Sequence, residues 1–352
     1  MNELGKNILL SVSGESHSPS IVLRIKNIEK GHKISIDKIN FELKRRNPKF
    51  FFNTERAEDD EFKILSGIKD YITTGEDIVV EFINKNIDKS AYIKNEGFLR
   101  PGHSDYTRYI KNGFFDTGGG MSSGRVTLPF SFASSIFKQI LEEKGVIIVS
   151  RIKQIYNIKD KEIKNIKELL EIKDDLFPCI TKEFYDKAQA LLKDVKAKND
   201  SCGGIIETYI LNLKAGIGEP LFNSLESTIS SALFSIPAVK GVEFGDGFDF
   251  AHKLGSEVLD SFILDKNAIK TKENHNGGIN GGISNSMPVI IRTVVKPTPT
   301  IGIEVESLNI KTLKEERVVF GGRHDSFIAN RAIPAIEGMI AHSLLDLDYE
   351  KR

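Results

Sequence analysis

Glycine-bearing loops interrupt this chain from end to end, with paired or tripled glycines from Gly118 onward, and the segments between them alternate between helical and strand periodicity without a regular rhythm. Ile8–Val12, Ile78–Asn84, Val146–Ile152, Ile205–Leu213 and Val289–Val295 read as strands, the last rich in β-branched residues. Ser35 is a good N-cap, and Ile36, Ile39 and Leu43 follow it at helical spacing up to Arg46. Phe130–Lys144 (ended by Gly145), Lys182–Lys198, Leu221–Phe234 and Ala332–Leu345 read as further helices. No strand leads into a GxGxxG or GxxxxGK(S/T) loop that opens a helix, which removes support for a dinucleotide-binding or P-loop fold. The pattern predicts an α+β fold of mostly antiparallel strands with helices packed on them. No linker is evident, so residues 1–352 read as a single domain. The Lys-, Asp- and Glu-rich stretch Lys153–Asp200 reads as a solvated helical excursion.

Charge and cysteine content narrow the function classes. The chain carries 49 basic and 49 acidic residues, without the basic excess expected of a protein that grips nucleic-acid phosphates. An anion site here must be local, made by a few arginines and backbone N–H groups. The two cysteines, Cys179 and Cys202, form no CxxC pair, which excludes that kind of zinc site and fits a reducing compartment. The apolar stretch Ile8–Val12 is too short for a signal-peptide core, and no run approaches the roughly 18 apolar residues of a membrane helix. A cytoplasmic location is the expectation, without membrane or nucleic-acid partners and without a bound metal.

Six loops concentrate the residues that carry chemistry. Gly14-Glu15-Ser16-His17 follows the first predicted strand and presents two polar side chains at its end. In Arg100-Pro101-Gly102-His103-Ser104-Asp105, proline and glycine shape a turn and the aspartate is placed to orient the histidine. Gly118-Gly119-Gly120-Met121-Ser122-Ser123-Gly124-Arg125 combines exposed backbone N–H groups, two hydroxyls and an arginine, the makings of an anion nest. Asp200-Ser201-Cys202-Gly203-Gly204 enters a strand. His275 to Asn285, with two Gly-Gly pairs, precedes a strand that ends in Lys296-Pro297-Thr298-Pro299-Thr300, a segment suited to a phosphate or a flavin edge. Gly322-Arg323-His324-Asp325 precedes the last helix, with Arg331 nearby. Four of the seven histidines lie in these loops, whereas His32, His252 and His342 read as structural or surface residues.

In this order, GESH, RPGHSD, GGGMSSGR, DSCGG, GGINGGIS with KPTPT, and GRHD resemble the marks of the chorismate synthases, and so do Ile64–Gly67 and Ala238–Phe248. The resemblance covers nearly the whole chain. It implies a β-α-β sandwich and a homotetramer. It also implies an anti-1,4-elimination of phosphate from 5-enolpyruvylshikimate 3-phosphate, giving chorismate for aromatic amino-acid biosynthesis. The implied cofactor is reduced FMN, regenerated with NADPH or by a separate flavin reductase. Carried over onto this sequence, His17 stands near the substrate phosphate, His103 protonates the flavin and Asp325 serves as base. Ser16, Arg46, Arg100 and Arg125 match substrate ligands. Ser122, Ser123, Ala238, Gly281, Lys296, Pro297, Thr298, Pro299, Thr300 and Arg323 match flavin ligands. The chain departs from the family pattern at Met121, Thr117 and Phe51, each standing where the family usually has arginine, with Arg108 or Lys111 as possible replacements. The alternative reading is a flavin- or phospho-ligand-binding relative with weakened or lost elimination.

Overall fold

Alternate residues of Ser20–Lys26 and Ile78–Ile83 are apolar, and both segments form strands whose Ile21, Leu23, Ile25, Ile78, Val80 and Phe82 are completely buried. The protein is described by a computed structural model covering residues 2–53, 60–84, 95–113, 120–321 and 325–349. These two strands, β3 (Ser20–Lys26) and β5 (Ile78–Ile83), belong to a five-stranded sheet with β1 (Asn2–Leu4), β2 (Leu9–Ser13) and β4 (Phe62–Ser66). Its order is β1-β2-β3-β5-β4, every pairing is antiparallel, and Ile21 registers with Phe82. A second five-stranded antiparallel sheet contains β6 (Ile147–Ile155), β7 (Ile158–Lys159), β8 (Gly204–Leu211), β9 (Val239–Phe244) and β10 (Val289–Val295), ordered β9-β10-β8-β6-β7.

Helices pack between and around the sheets. They include α1 (Ile36–Arg46), α2 (Asp105–Asn112), α3 (Leu128–Glu143), α4 (Ile166–Ile172), α5 (Lys182–Ala197), α6 (Leu225–Phe234) and α7 (Ala329–Tyr349). Helix α3 touches β3 on one side and β6 on the other, α7 packs on β6 and β8, and α1 packs on both α3 and α7. Phe132 of α3 meets the rings of Phe62 and Phe82 edge-on, joining helix layer to first sheet. This is the expected α+β arrangement, a β-α-β sandwich. Among the described residues, no helix is long and apolar enough to cross a membrane.

Ionic groups fix how the helices sit. Arg45 of α1 donates to both oxygens of Glu42 (3.2 and 3.0 Å) and to both oxygens of Glu337 on α7 (2.7 and 3.0 Å). Lys138 of α3 closes the set, at 2.7 Å from Glu42 and 2.6 Å from Glu337. At the far end of α7, the Asp346 carboxylate accepts from the backbone N–H groups of Lys6, Asn7 and Ile8, and His342 Nε2 lies 2.7 Å from the Ile8 carbonyl.

Two readings of the sequence need correction. Leu221–Phe234 is not one helix: Leu221–Asn223 is a 3-10 turn, and α6 starts afresh because Ser224 Oγ caps it by accepting from Ser227 N. Lys153–Asp200 is more than a solvated excursion. It begins inside β6, and Phe184, Ala188 and Leu192 of α5 form a buried stripe at a spacing of four residues beneath a charged outer face.

Candidate active site

The chemistry-bearing loops converge through hydrogen bonds near the start of α7. Helix α1 ends at Arg46, whose buried guanidinium reaches Thr127 Oγ1 (3.4 Å), the Gly124 carbonyl (3.5 Å) and Asp60 Oδ2 (3.0 Å). Asp60 Oδ1 accepts from Arg125 at 2.5 Å, so one carboxylate bridges two arginines. Arg125 Nε donates to Asn84 Oδ1 (3.1 Å), and Asn84 Nδ2 donates to the Ser18 carbonyl (2.7 Å). That bond anchors the His17 turn, in which buried Ser16 Oγ and His17 Nδ1 share a hydrogen bond of 2.6 Å. On the other side, Arg331 Nε donates to the Arg46 carbonyl (2.9 Å) while its Nη1 is forked by both oxygens of Asp325 (2.9 and 2.8 Å). His17, Arg46, Arg125 and Asp325 are therefore joined in one chain of contacts.

A second group lies at the end of the second sheet. Arg100 donates to both oxygens of Asp105 (2.8 and 2.6 Å), and His103 Nδ1 lies 3.0 Å from Asp105 Oδ1, the orientation anticipated from the turn. Burial alone would raise the Asp105 carboxyl, but hydrogen bonds from Arg100 and His103 outweigh it and hold it well below the usual carboxylate range. Lys296 Nζ donates to the Gly102 carbonyl (2.6 Å), and a Cβ at Gly102 would stand 3.4 Å from Pro299. Lys296 N donates to the carbonyl of Ala238, which holds a left-handed φ of 73°. Ser201 Oγ donates to the Thr298 carbonyl, and Cys202 N to that of Ser326, beside Asp325. Arg108 connects the two groups: it lies 3.8 Å from Glu15 and fills the space a Cβ would need at Gly120.

Ser123 Oγ caps the 3-10 turn that carries Arg125 by accepting from its N–H, with Ser122 next to it. Arg323, His324 and Thr117 lie outside the described residues. Gly281 is not brought to the others within this chain. It occupies a hairpin turn whose Gly282 carbonyl accepts from Leu225 N, beyond the Val289 end of β10. Ala238 and Lys296 stand by the Val295 end, and a seven-residue strand spans about 20 Å. Sequence reasoning did not single out Asp60 or Asn84, which no loop motif marks, and it noted Arg331 without assigning it a role. Neither cysteine is a thiolate at neutral pH, since burial and neighbouring aspartates push both thiols up to about 12.

One observation bears on a flavin. Among the described residues, Thr298 Oγ1 is buried without a hydrogen-bond partner, in the segment that also supplies Lys296 and Thr300. A buried hydroxyl left unsatisfied fits a ligand edge rich in acceptors.

The family model described as chorismate synthase matches residues 8–348. The chain belongs to the chorismate synthase family. It is 38% identical over 351 residues to a chorismate synthase of Dehalococcoides mccartyi, covering 98% of this chain and 96% of that protein. It is likewise 38% identical to the chorismate synthase of Pyrococcus abyssi over 344 residues, covering 97% and 96%. A crystal structure of chorismate synthase superposes with a TM-score of 0.79 at 26% identity, covering 99% of this chain and 93% of that one.

Proposed function

We propose that this site eliminates phosphate from 5-enolpyruvylshikimate 3-phosphate to give chorismate. The chain is a flavin-dependent carbon–oxygen lyase of the shikimate pathway. The observation that carries the residue assignments is the contact chain running from Asp325 through Arg331, Arg46, Asp60, Arg125 and Asn84 to the His17 turn. Arginine forks suit the substrate's phosphate and carboxylates, and Arg46, Arg100 and Arg125 are the ligands assigned to them. His17, oriented by Ser16, donates a hydrogen bond to the departing phosphate. Asp325, forked by Arg331, accepts the proton released in the elimination. His103, oriented by Asp105, is the proton donor on the flavin side.

The cofactor is taken to be reduced FMN, which supplies the electron chemistry when bound. Ser122, Ser123, Ala238, Thr298, Thr300, Arg323 and Lys296 would hold it, with Pro297 and Pro299 stiffening the segment. Arg108 supplies a positive charge next to Met121. Phe51, 45% exposed, presents no cation to a nicotinamide nucleotide, which favours delivery of reduced flavin by a separate reductase over self-reduction with NADPH. A homotetramer is supported by exposed Phe262, Leu264 and Ile269 on the hairpin of Phe262–Asp265 and Ala268–Thr271. A cytoplasmic location and one folding unit over residues 1–352 complete the reading.

The test is anaerobic incubation with reduced FMN and 5-enolpyruvylshikimate 3-phosphate, following chorismate absorbance. Folded protein that binds flavin and yields no chorismate would refute it.

A further inference from the structure

We propose that Asp60 is an internal competitor for the substrate's anionic group. In the resting protein its carboxylate occupies the seat between Arg46 and Arg125, and substrate binding sends it into the neighbouring groove beside Lys44. The proposal rests on the reading above that these two arginines are substrate ligands.

The geometry separates competition from scaffolding. Asp60 is 6% exposed at its side chain and each arginine 5%, so the three charges face one another out of water. A scaffold carboxylate is needed where guanidiniums have nothing else to hold them. Here each has other fixed partners. Arg46 is held by Thr127 Oγ1 and the Gly124 carbonyl, and Arg125 by Asn84 Oδ1, itself tied to the Ser18 carbonyl. Both forks stay oriented if Asp60 leaves.

An incoming phosphate or carboxylate cannot lie beside a buried carboxylate without strong like-charge repulsion. Asp60 has somewhere to go. It also lines an open groove of about 540 Å³ with Asn40, Leu43, Lys44, Asn47, Glu61 and Phe62. Glu61 makes that groove partly acidic, but Lys44 and Asn40 are exposed there and offer an ammonium and an amide donor. Rotation about the Asp60 side-chain bonds exchanges one set of donors for the other. The consequence is selectivity: a weakly held or singly charged anion must displace a resident carboxylate, and only a ligand that engages both forks gains enough to do so.

The experiment is calorimetric binding of 5-enolpyruvylshikimate 3-phosphate in the presence of oxidised FMN, where no turnover occurs, with folding checked by circular dichroism. Asp60→Asn is expected to bind about tenfold tighter or more, the worth of one charge-assisted hydrogen bond no longer surrendered by the arginines. Unchanged or weaker binding overturns the competitor role and makes Asp60 a scaffold. Arg46→Met is the control for the underlying reading. If it leaves affinity unchanged, the arginines are not substrate ligands, whatever Asp60 does. Should Asp60→Asn fail to fold, Lys44→Met, at an exposed position, decides the matter. Binding weakened several-fold supports exchange into the groove, and wild-type affinity rules it out.

Discussion

Removing Arg45 while keeping its neighbours tests how the helix layer holds the end of α1 in place. Arg45→Met leaves Glu42 and Glu337, both buried, with Lys138 as the remaining cation of the set. Burial pushes the Glu337 carboxyl up, but the charges of Arg45 and Lys138 outweigh this and hold it below the usual range. Breaking a buried pair by deleting one partner costs about 3–5 kcal/mol. Unfolding entropy of about 2.1 cal/mol/K per residue gives about 0.7 kcal/mol/K for 352 residues, so Tm should fall by about 4–7 °C. The double variant Arg45→Met, Glu337→Met leaves one balanced pair, Glu42 with Lys138, and should recover most of that loss. Thermal unfolding followed by circular dichroism, with urea unfolding as a check, measures both. A double variant as unstable as the two single variants added together would refute the idea that these charges act as a closed set. The sign with pH is also defined. A carboxyl held below its usual pKa contributes stability that is present above about pH 4.5 and lost as pH falls toward its folded value, so wild type should weaken in that window more than Glu337→Gln.

The catalytic assignments predict that His17→Ala and His103→Ala each lower turnover about 10²–10⁴-fold with the fold intact, and wild-type rates in either would remove that histidine from the mechanism. Arg108→Ala should weaken FMN binding in a fluorescence titration, whereas Met121→Arg should bind FMN at least as tightly as wild type; clearly weaker binding by the second would mean that the loop is built around methionine. His342 is buried, and desolvation outweighs its bond to Ile8 and the Asp346 charge, so its pKa lies below the ordinary value near 6.5. The unfolded chain then takes up the proton first, and stability should fall by up to about 1.4 kcal/mol per pH unit below about pH 6.5; a His342→Gln variant with the same slope would refute this.

Strong local periodicity made much of the fold legible. Val289–Val295 is a strand with the expected limits, and α1 begins after Ser35 and ends at Arg46 as its cap and spacing indicate. The hairpin of Glu304–Asn309 and Lys314–Val319 escaped notice because charged residues crowd both strands and neither buries a continuous apolar face. Within the site, the loops announced themselves through glycine and histidine. Asp60 could not, since it stands in an acidic run and its meaning depends on two arginines brought to it from α1 and from Gly124–Thr127. Pairings between distant segments of this kind leave no trace in local spacing.

The Asp346 carboxylate gathers backbone N–H groups from residues that precede it by up to 340 positions. The anchor for β2, and for the His17 turn that follows it, therefore leaves the ribosome 338 to 340 residues after the N–H groups that it binds. Until α7 emerges, the early strands have neither this anchor nor the helix that carries Arg331 and Glu337. The first sheet is covered earlier, by α3 with Phe132 against Phe62 and Phe82, but it is not tied to the rest of the helix layer until α7 arrives. On the site assignments proposed above, the contact chain that joins Asp325 to Arg46 is complete only once α7 is in place.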